Sequence, residues 1–384
     1  MAGQRLPYRV GRRTRGANGI IETEALSDEN VAYTGTVTGA PAPVAPSEST
    51  LLPDTVVVPM DMPIQSDAHD DFGFYVAMGA SAPGWQRGRV EVSADGVNFS
   101  TLLDYTESAV MGTVDGVLPA GPTDGLDDTL DTETVLTVEL LHPGMSLEGT
   151  SDTLLGAYEN FAFVGAGGVG EYIQFKTATQ IGPTTWELTN LRRGRRGTDH
   201  AIATHGSGEQ FVLLGEGGIY RVPVLDGSGW GDTLVLRGVT LHQDANDADT
   251  VTFANTGEGK RPFSPTDLAG TFNGGGDLDL SWTDRSRFFG TDADTPATFE
   301  IDFVRGASVV RTESVTATSY SYTAANQASD GFSEGDAVVV RLYRVNDDYG
   351  RSRVTEKPFL IPAIETSDSD EITVDSTFYT VDLA

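Results

Sequence analysis

Short runs in which apolar and polar residues alternate, each closed by glycine, aspartate or proline, recur along most of this 384-residue chain. Arg89-Val90-Glu91-Val92-Ser93 is one, and Thr134-Val135-Leu136-Thr137-Val138-Glu139-Leu140 is another. Gln174-Phe175-Lys176-Thr177-Ala178 and the stretches 298–303 and 338–345 repeat the pattern. A period of two places one face of a segment on a core and the other in water, which is a half-buried strand. Only one or two stretches combine a 3.6 period with helix caps. Gly is 45 of 384 residues, about 12% against an average near 7%, and supplies the turns. Asp95-Gly96 between strand-like runs predicts a hairpin, because glycine accepts positive φ. The spacing therefore predicts an all-β protein with several β-sandwich or barrel-like domains in series.

The length suits two to three domains, each large enough to bury a core. Residues 38–54 (TGAPAPVAPSESTLLPD) have the Pro, Ala and Ser content of an extended linker. Residues 1–37 before it offer a few strands at most, too few for an independent core, so a partner must complete them. A β-domain is expected over 55–221 and a small β segment over 222–261. Two prolines in Arg261-Pro262-Phe263-Ser264-Pro265 mark an extended boundary. Residues 262–363 have the size and rhythm of one β-sandwich, with Trp282 early, Tyr320 and Tyr322 on a later strand and Tyr343 near the end. The tail 364–384 opens on SDSDE and finishes on a strand-like run. No internal repeat of solenoid or propeller period occurs.

Charge narrows the function classes. The chain carries 56 Asp+Glu against 25 Lys+Arg, a formal −31, and no cysteine. Without cysteine there are no disulfides, thiolate zinc sites, iron–sulfur clusters or cysteine nucleophiles. An excess of acid disfavours nucleic acid and the anionic membrane surface, whose binding depends on cations. No run approaches 18 apolar residues, and the N-terminus lacks the apolar stretch of a secretory signal. These features lead us to expect a soluble, globular, acidic protein made in a reducing compartment. The charge is also polarised. Arg5, Arg9, Arg12, Arg13 and Arg15 give the first 16 residues +5, leaving −36 for the rest. They are the candidate partner-binding residues, since a basic tip fits an acidic surface. Only Lys176, Lys260 and Lys357 are lysine, a skew that carries no functional reading.

Several motifs suggest chemistry and are assigned to structure. Gly165-Ala166-Gly167-Gly168-Val169-Gly170 matches G-x-G-x-x-G, but a dinucleotide site needs a helix next. Glu171-Tyr172-Ile173-Gln174-Phe175-Lys176 alternates like a strand, so the glycines are read as a turn between strands. Arg192-Arg193-Gly194-Arg195-Arg196-Gly197 is the one dense basic cluster after residue 16. In an acidic chain Arg192, Arg193, Arg195 and Arg196 are expected to form inter-domain or inter-subunit ion pairs. His200 and His205 are five apart, not at the i, i+4 spacing of helical zinc motifs, and no metal site or cofactor is expected. Asp67-Ala68-His69-Asp70-Asp71, Asp127-Asp128, Asp244 to Asp249 and Asp292-Ala293-Asp294 cluster oxygens without the complete calcium-loop spacing. No G-x-S-x-G elbow occurs, and no histidine sits in a recognisable Ser/His/Asp arrangement. The expectation is a protein without catalytic residues.

One set of motifs resembles a known family. Asp70-Asp71-Phe72-Gly73-Phe74-Tyr75-Val76-Ala77, Trp85 and Val90-Glu91-Val92-Ser93-Ala94-Asp95-Gly96 are similar to a block in phage tail-tip proteins. The kin are the large host-specificity ("megatron") proteins of gene transfer agents and related siphophages. Gly156-Ala157-Tyr158-Glu159-Asn160, Gly170 to Phe175, and Leu188-Thr189-Asn190-Leu191 running into the Arg-Arg-Gly block and Thr198-Asp199 carry the stronger likeness, with the Arg-Arg-Gly block its sharpest part and His205-Gly206 and Phe211 to Leu214 closing it. Pro262-Phe263-Ser264-Pro265, Leu280-Ser281-Trp282 and Arg285 resemble the family's fibronectin type III-like module. Tyr8-Arg9-Val10, Ile20 to Ala25 and Ala32-Tyr33 resemble the closing strands of its hub. The resemblance implies a threefold tail hub and no catalytic residues in this portion. Met1 falls where the hub would be ending, so the rest of the hub is expected on a separate polypeptide.

The resulting expectation is a structural component of a phage tail tip or baseplate, assembled in a bacterial cytoplasm and resident in the virion. It would dock on the tail hub with neighbouring copies as a trimer and project β-domains toward a tail fibre or a host cell-surface receptor. The alternative is a secreted glycan-binding or glycan-hydrolysing β-protein, against which the missing signal peptide counts. A Ca²⁺-dependent adhesin fragment is a third reading.

Overall fold

A computed structural model describes residues 8–15, 21–27, 52–121, 130–157, 159–215, 217–224, 230–287, 289–290 and 297–363. The chain divides into two compact units, Met1–Leu51 and Leu52–Ala384. In the first, β1 (Tyr8–Arg15) and β2 (Ile21–Ser27) form an antiparallel two-stranded ribbon. Its register sets Arg12 opposite Glu24 and Arg13 opposite Thr23, with an irregularity between Val10 and Arg12. Val10, Ile21 and the arginines Arg12, Arg13 and Arg15 are exposed.

The second unit begins with β3 (Thr55–Met60), β4 (Phe74–Ala80), β5 (Gly88–Ser93) and β6 (Ser100–Tyr105). The expected hairpin joins β5 to β6: Gly96 has φ +71, and Asp95 Oδ1 accepts the backbone N–H of Val97 and Asn98. These hydrogen bonds hold the Asp95 carboxyl well below the usual carboxylate range.

The chain then enters a closed six-stranded barrel, β7 (Met111–Val114), β8 (Leu136–Leu140), β9 (Phe161–Ala166), β10 (Val169–Gln180), β11 (Thr185–Arg192) and β12 (Gln210–Leu213). Their order around the barrel is β10-β11-β8-β7-β12-β9. Close packing of barrel strands requires glycine at position 112, where a Cβ would lie 2.1 Å from the Glu139 carbonyl oxygen. The glycine-rich motif is a tight hairpin: Ala166 pairs with Val169, and Gly167 and Gly168 turn the chain with φ of +62 and +86. No helix follows it, so it has no pyrophosphate-binding end.

After the barrel come β13 (Ile219–Val222), β14 (Thr233–Thr240) and β15 (Thr250–Ala254). β13 joins β4 and β3 in one sheet, and β14 and β15 join β5 and β6 in another. These two sheets close on a core of Phe74, Val76, Met78, Val90, Val222, Leu236 and Phe253. The expected division into a domain at 55–221 and a small segment at 222–261 is thereby corrected. Strands from both spans build one sandwich, and the barrel is an insertion within it. The whole of β4 is buried because it is a shared wall. Phe74, Val76 and Met78 face the sandwich core, while Tyr75 and Ala77 join the barrel core beside Met111, Phe163 and Phe211. A strand covered on both faces has no polar alternation to show.

The last module pairs a three-stranded sheet with a larger one. β16 (Thr266–Phe272), β17 (Leu278–Thr283) and β20 (Ser319–Tyr322) form the first. β18 (Thr298–Arg305), β19 (Ser308–Val315), β21 (Ala337–Asn346), β22 (Gly350–Arg351) and β23 (Thr355–Leu360) form the second, with β21 at the branch. This is the sandwich arrangement of a fibronectin type III-like module. Trp282 meets Phe299 edge to face in its core, and Tyr322 stacks on Phe303. The described helices are short, Asp152–Gly156 and Ala324–Ser329, capped by Ser151 and Thr323. None is long and apolar enough to cross a membrane. The tail 364–384 and most of the linker lie outside the described residues.

Gly168→Ala tests the insertion geometry. The new methyl would meet the Phe253 ring at 2.4 Å on a backbone with positive φ. Urea unfolding is expected to show a loss of about 1–3 kcal/mol.

Candidate functional site

The Arg-Arg-Gly block is where the barrel meets Phe263, just before the terminal sandwich, and Arg285 within it. β11 ends at Arg192, and the chain reverses through two single-turn 3₁₀ segments, Arg195–Gly197 and Asp199–Ala201. Both glycines are required by space as well as by positive φ. A Cβ at Gly194 would lie 2.5 Å from Ile202 Cδ1 and 2.7 Å from Asp199 Cα, and one at Gly197 would lie 2.7 Å from the Phe263 ring. Arg196 itself is left-handed, φ 53, which costs an ordinary residue about 1–2 kcal/mol. Its guanidinium lies 4.3 Å from the Phe161 ring centre and 5.2 Å from that of Phe289, contacts that offset the strain.

Beneath the loop lies a buried ionic cluster. Glu171, at the start of β10, is fully buried, and Arg193 is 4% exposed. Arg193 Nε and Nη2 donate to Glu171 Oε1 and Oε2, both at 2.8 Å, while Nη1 and Nη2 also donate to the carbonyls of Pro119 and Ala203. The Gly194 N–H donates to Glu171 Oε1 at 2.6 Å. His205 completes the cluster, with Nε2 3.0 Å from Glu171 Oε2 and Nδ1 2.7 Å from Glu209 Oε2. Two carboxylates thus face one guanidinium and one imidazole whose nitrogens both point at acids. Burial pulls the His205 pKa down, but the hydrogen bonds and charges of Glu171 and Glu209 outweigh it and hold the ring above its ordinary value. The protonated ring makes the four groups electrically neutral together, as buried charges require. Glu171 has both oxygens occupied and no exposure, so it offers no acid or base to a substrate. The cluster fastens the loop to the barrel.

Across the junction, Arg285 of the terminal sandwich donates through Nη1 and Nη2 to Asp199 and through Nε to the Ser264 carbonyl. Asp70 takes Arg287 at 2.9 Å and Lys260 at 3.3 Å, and Asp67 accepts the Gly290 N–H. Asp61 receives Thr256 and the Glu258 N–H. Burial pushes its carboxyl up against those lowering bonds. Glu258 in turn holds Arg261 and Arg353.

The expected site residues separate accordingly. Arg193 does not make an inter-domain or inter-subunit ion pair. Its partner is a carboxylate of its own barrel, because β10 and β11 are neighbours and bring residues 22 apart in sequence together. Arg196 reaches the terminal module at the Phe289 ring. Arg192 and Arg195 are half-buried on the same loop. Ion pairs to the terminal module include Arg285 with Asp199, Arg287 with Asp70 and Arg353 with Glu258; of these arginines only Arg285 stands out in the sequence, and there for its family resemblance rather than for pairing. Of the candidate partner-binding set, Arg12, Arg13 and Arg15 are exposed on β1, Arg9 lies on the same strand, and Arg5 lies outside the described residues. The acidic stretch at 67–71 is a row of anchors. Asp67 and Asp70 bond across the junction, and Asp71 pairs with Arg221 at 2.6 Å. Asp244 caps the turn at Asn246. Asp127, Asp128, Asp292 and Asp294 lie outside the described residues. Among the described residues no group of three or more His, Asp or Glu is placed to hold a metal ion.

Residues 109–212 match the family model described as "Rcc01698-like, C-terminal", a span that coincides with the inserted barrel. No curated protein matches the chain. Among solved structures, the chain is similar to domains d3–d4 of the rat CD45 extracellular region, at 13% identity and TM-score 0.22, covering 34% of this chain and 64% of that one. A human fibronectin type III domain, from fibronectin type III domain containing protein 3, aligns at 17% identity and TM-score 0.20, covering 28% and 94%. The chicken CNTN1 FN1–FN3 domains align at 8% identity and TM-score 0.21, covering 81% and 100%. At scores of this size the fold class rests on the strand pairing itself.

Two outcomes follow from the cluster. Arg193→Met leaves Glu171 buried without its main partner and is expected to cost about 3–5 kcal/mol in urea unfolding, while adding Glu171→Leu recovers part of the loss. Folding raises the His205 pKa, so its contribution is complete below the unfolded value of about 6.5 and declines as pH rises through the folded value. Unfolding free energy measured from pH 6 to 9 should fall with pH in the native chain, and His205→Gln should flatten that slope.

Proposed function

We propose that this chain is a structural component of the tail tip or baseplate of a tailed phage or gene-transfer-agent-like particle. The observation that carries this reading is the coincidence of two signals on the barrel. The family match at 109–212 covers the residues from Leu188 to Phe211 that carry the sharpest part of the sequence resemblance. The candidate site supports it too, since its charged groups are spent on holding modules together.

The N-terminal ribbon supplies the attachment. Two strands with exposed Val10 and Ile21 are marginal alone and gain stability by joining a larger sheet. The arginines of β1 suit an acidic face on the tail hub, around which copies of the chain assemble as a trimer. The β-modules then project from the hub toward a fibre or a host receptor through loops on rigid sandwiches. The role is non-catalytic.

Electron microscopy of particles labelled with antibody to this chain is expected to place label at the tail tip, and label confined to capsids or absent from particles contradicts the reading. Arg12→Glu with Arg13→Glu should abolish co-purification with the hub protein while leaving the melting of the β-modules unchanged.

A further inference from the structure

A cavity of about 260 Å³ opens along β13, the edge strand of its sheet. Neighbouring side chains on a strand point to opposite faces, but at an edge both faces border the same opening. Tyr220 and Arg221 therefore line one cavity, together with Tyr105, Tyr75, His69 and Gln65. Tyr105 and Tyr220 stack with ring centres 3.4 Å apart and planes 12° from parallel, and both are only partly buried.

The polar side of the cavity is formed by Arg221, Tyr75, His69 and Gln65. Arg221 is 7% exposed, and its Nη2 is spent on Asp71 Oδ1 and the carbonyls of His69 and Asp71. Its Nε and Nη1 meet no acceptor among the described residues. Both atoms are sealed from solvent and the guanidinium lies 4.8 Å from the Tyr75 ring centre, so Arg221 braces the cavity wall and leaves the ligand to its neighbours. Tyr75 Oη accepts the Gln65 N–H at 2.7 Å and lies 2.8 Å from His69 Nδ1. With the Tyr75 hydrogen turned to Nδ1, His69 carries its own proton on Nε2. Burial and the Arg221 charge lower the His69 pKa, so the ring is neutral at pH 7.

Charge selects among acceptor-rich ligands. Asp71 already neutralises Arg221, Glu107 acts on Tyr220, and the chain as a whole is strongly acidic. A carboxylate or phosphate finds no net positive field here. Hydroxyl groups need none, since they accept from His69 Nε2 and donate to Gln65 Oε1. Aromatic faces beside such groups suit the apolar face of a sugar ring.

We propose that the β13 cavity binds a neutral sugar residue, with the Tyr105–Tyr220 stack as platform, His69 Nε2 donating to one hydroxyl and Gln65 Oε1 accepting from another. The site is independent of the assembly reading, because it is assayed on the free chain whether or not the ribbon docks.

The full-length chain is titrated with glucose, galactose and N-acetylglucosamine, with a β-linked tetramer of each, and with glucuronate, by calorimetry and saturation-transfer NMR. At least one neutral sugar should bind saturably. Equal binding of monomer and tetramer points to a free sugar or chain end, and tighter binding of the tetramer to a residue within a glycan; both support the site. Tyr105→Leu should weaken binding by about tenfold or more at an unchanged melting temperature, and Tyr105→Phe should restore it. If Tyr105→Leu lowers the melting temperature, His69→Ala carries the same expectation. No binding by any neutral sugar, preference for glucuronate, or full binding by folded Tyr105→Leu and His69→Ala overturns the proposal.

Discussion

The buried pair of Glu171 and Arg193 is the fastening on which the arrangement of modules rests. Their bidentate contact, closed by His205, Glu209 and the Gly194 N–H, fixes the loop from Gly194 to Glu209 against the end of the barrel. That loop presents Gly197 to Phe263, Asp199 to Arg285 and Arg196 to Phe289. Buried ion pairs contribute little net stability compared with apolar packing, but they penalise alternatives strongly, because a broken pair leaves charge in the core. The cluster specifies one loop conformation, and the loop positions a domain.

A second constraint is the double duty of β4. Its odd and even positions serve two cores, so the sandwich and the inserted barrel share a wall. This explains how a barrel can interrupt a sandwich between β6 and β13 without an exposed seam. It also explains the glycines at 168 and 238, where added side chains would strike Phe253 and the Thr55 carbonyl across adjoining layers.

Much of the β character was legible in the sequence, for identifiable reasons. The runs at 134–140 and 338–345 alternate because one face of each is wet, and these, like 89–93 and 298–303, overlap strands; in 89–93 the polar Glu91 and Ser93 are buried as well. Asp95-Gly96 and Gly167-Gly168 were legible because turn chemistry is local. The insertion was not, since β14 pairs with β5 more than 140 residues away and the doubly buried β4 suppresses alternation. The partner of Arg193 was hidden for a related reason. Nothing in the Arg-Arg-Gly block tells which arginine turns inward. A signal existed in Glu171, a carboxylate at the head of the apolar-rich run Tyr172 to Phe175, which demands a buried cation when both faces are covered. Arg285 and Arg287 gave no local sign, as their partners Asp199 and Asp70 come from distant loops.

The central claim is that the Arg-Arg-Gly loop holds the terminal sandwich in a fixed attitude to the barrel. The chain has no cysteine, so two can be placed for spin labels at exposed Ile181 on the barrel and exposed Val354 on the sandwich. Electron–electron resonance should give a single narrow distance distribution, which broadens in Arg285→Ala combined with Gly197→Val while both modules stay folded. A broad distribution in the native background, or an unchanged narrow one in that variant, would contradict the account.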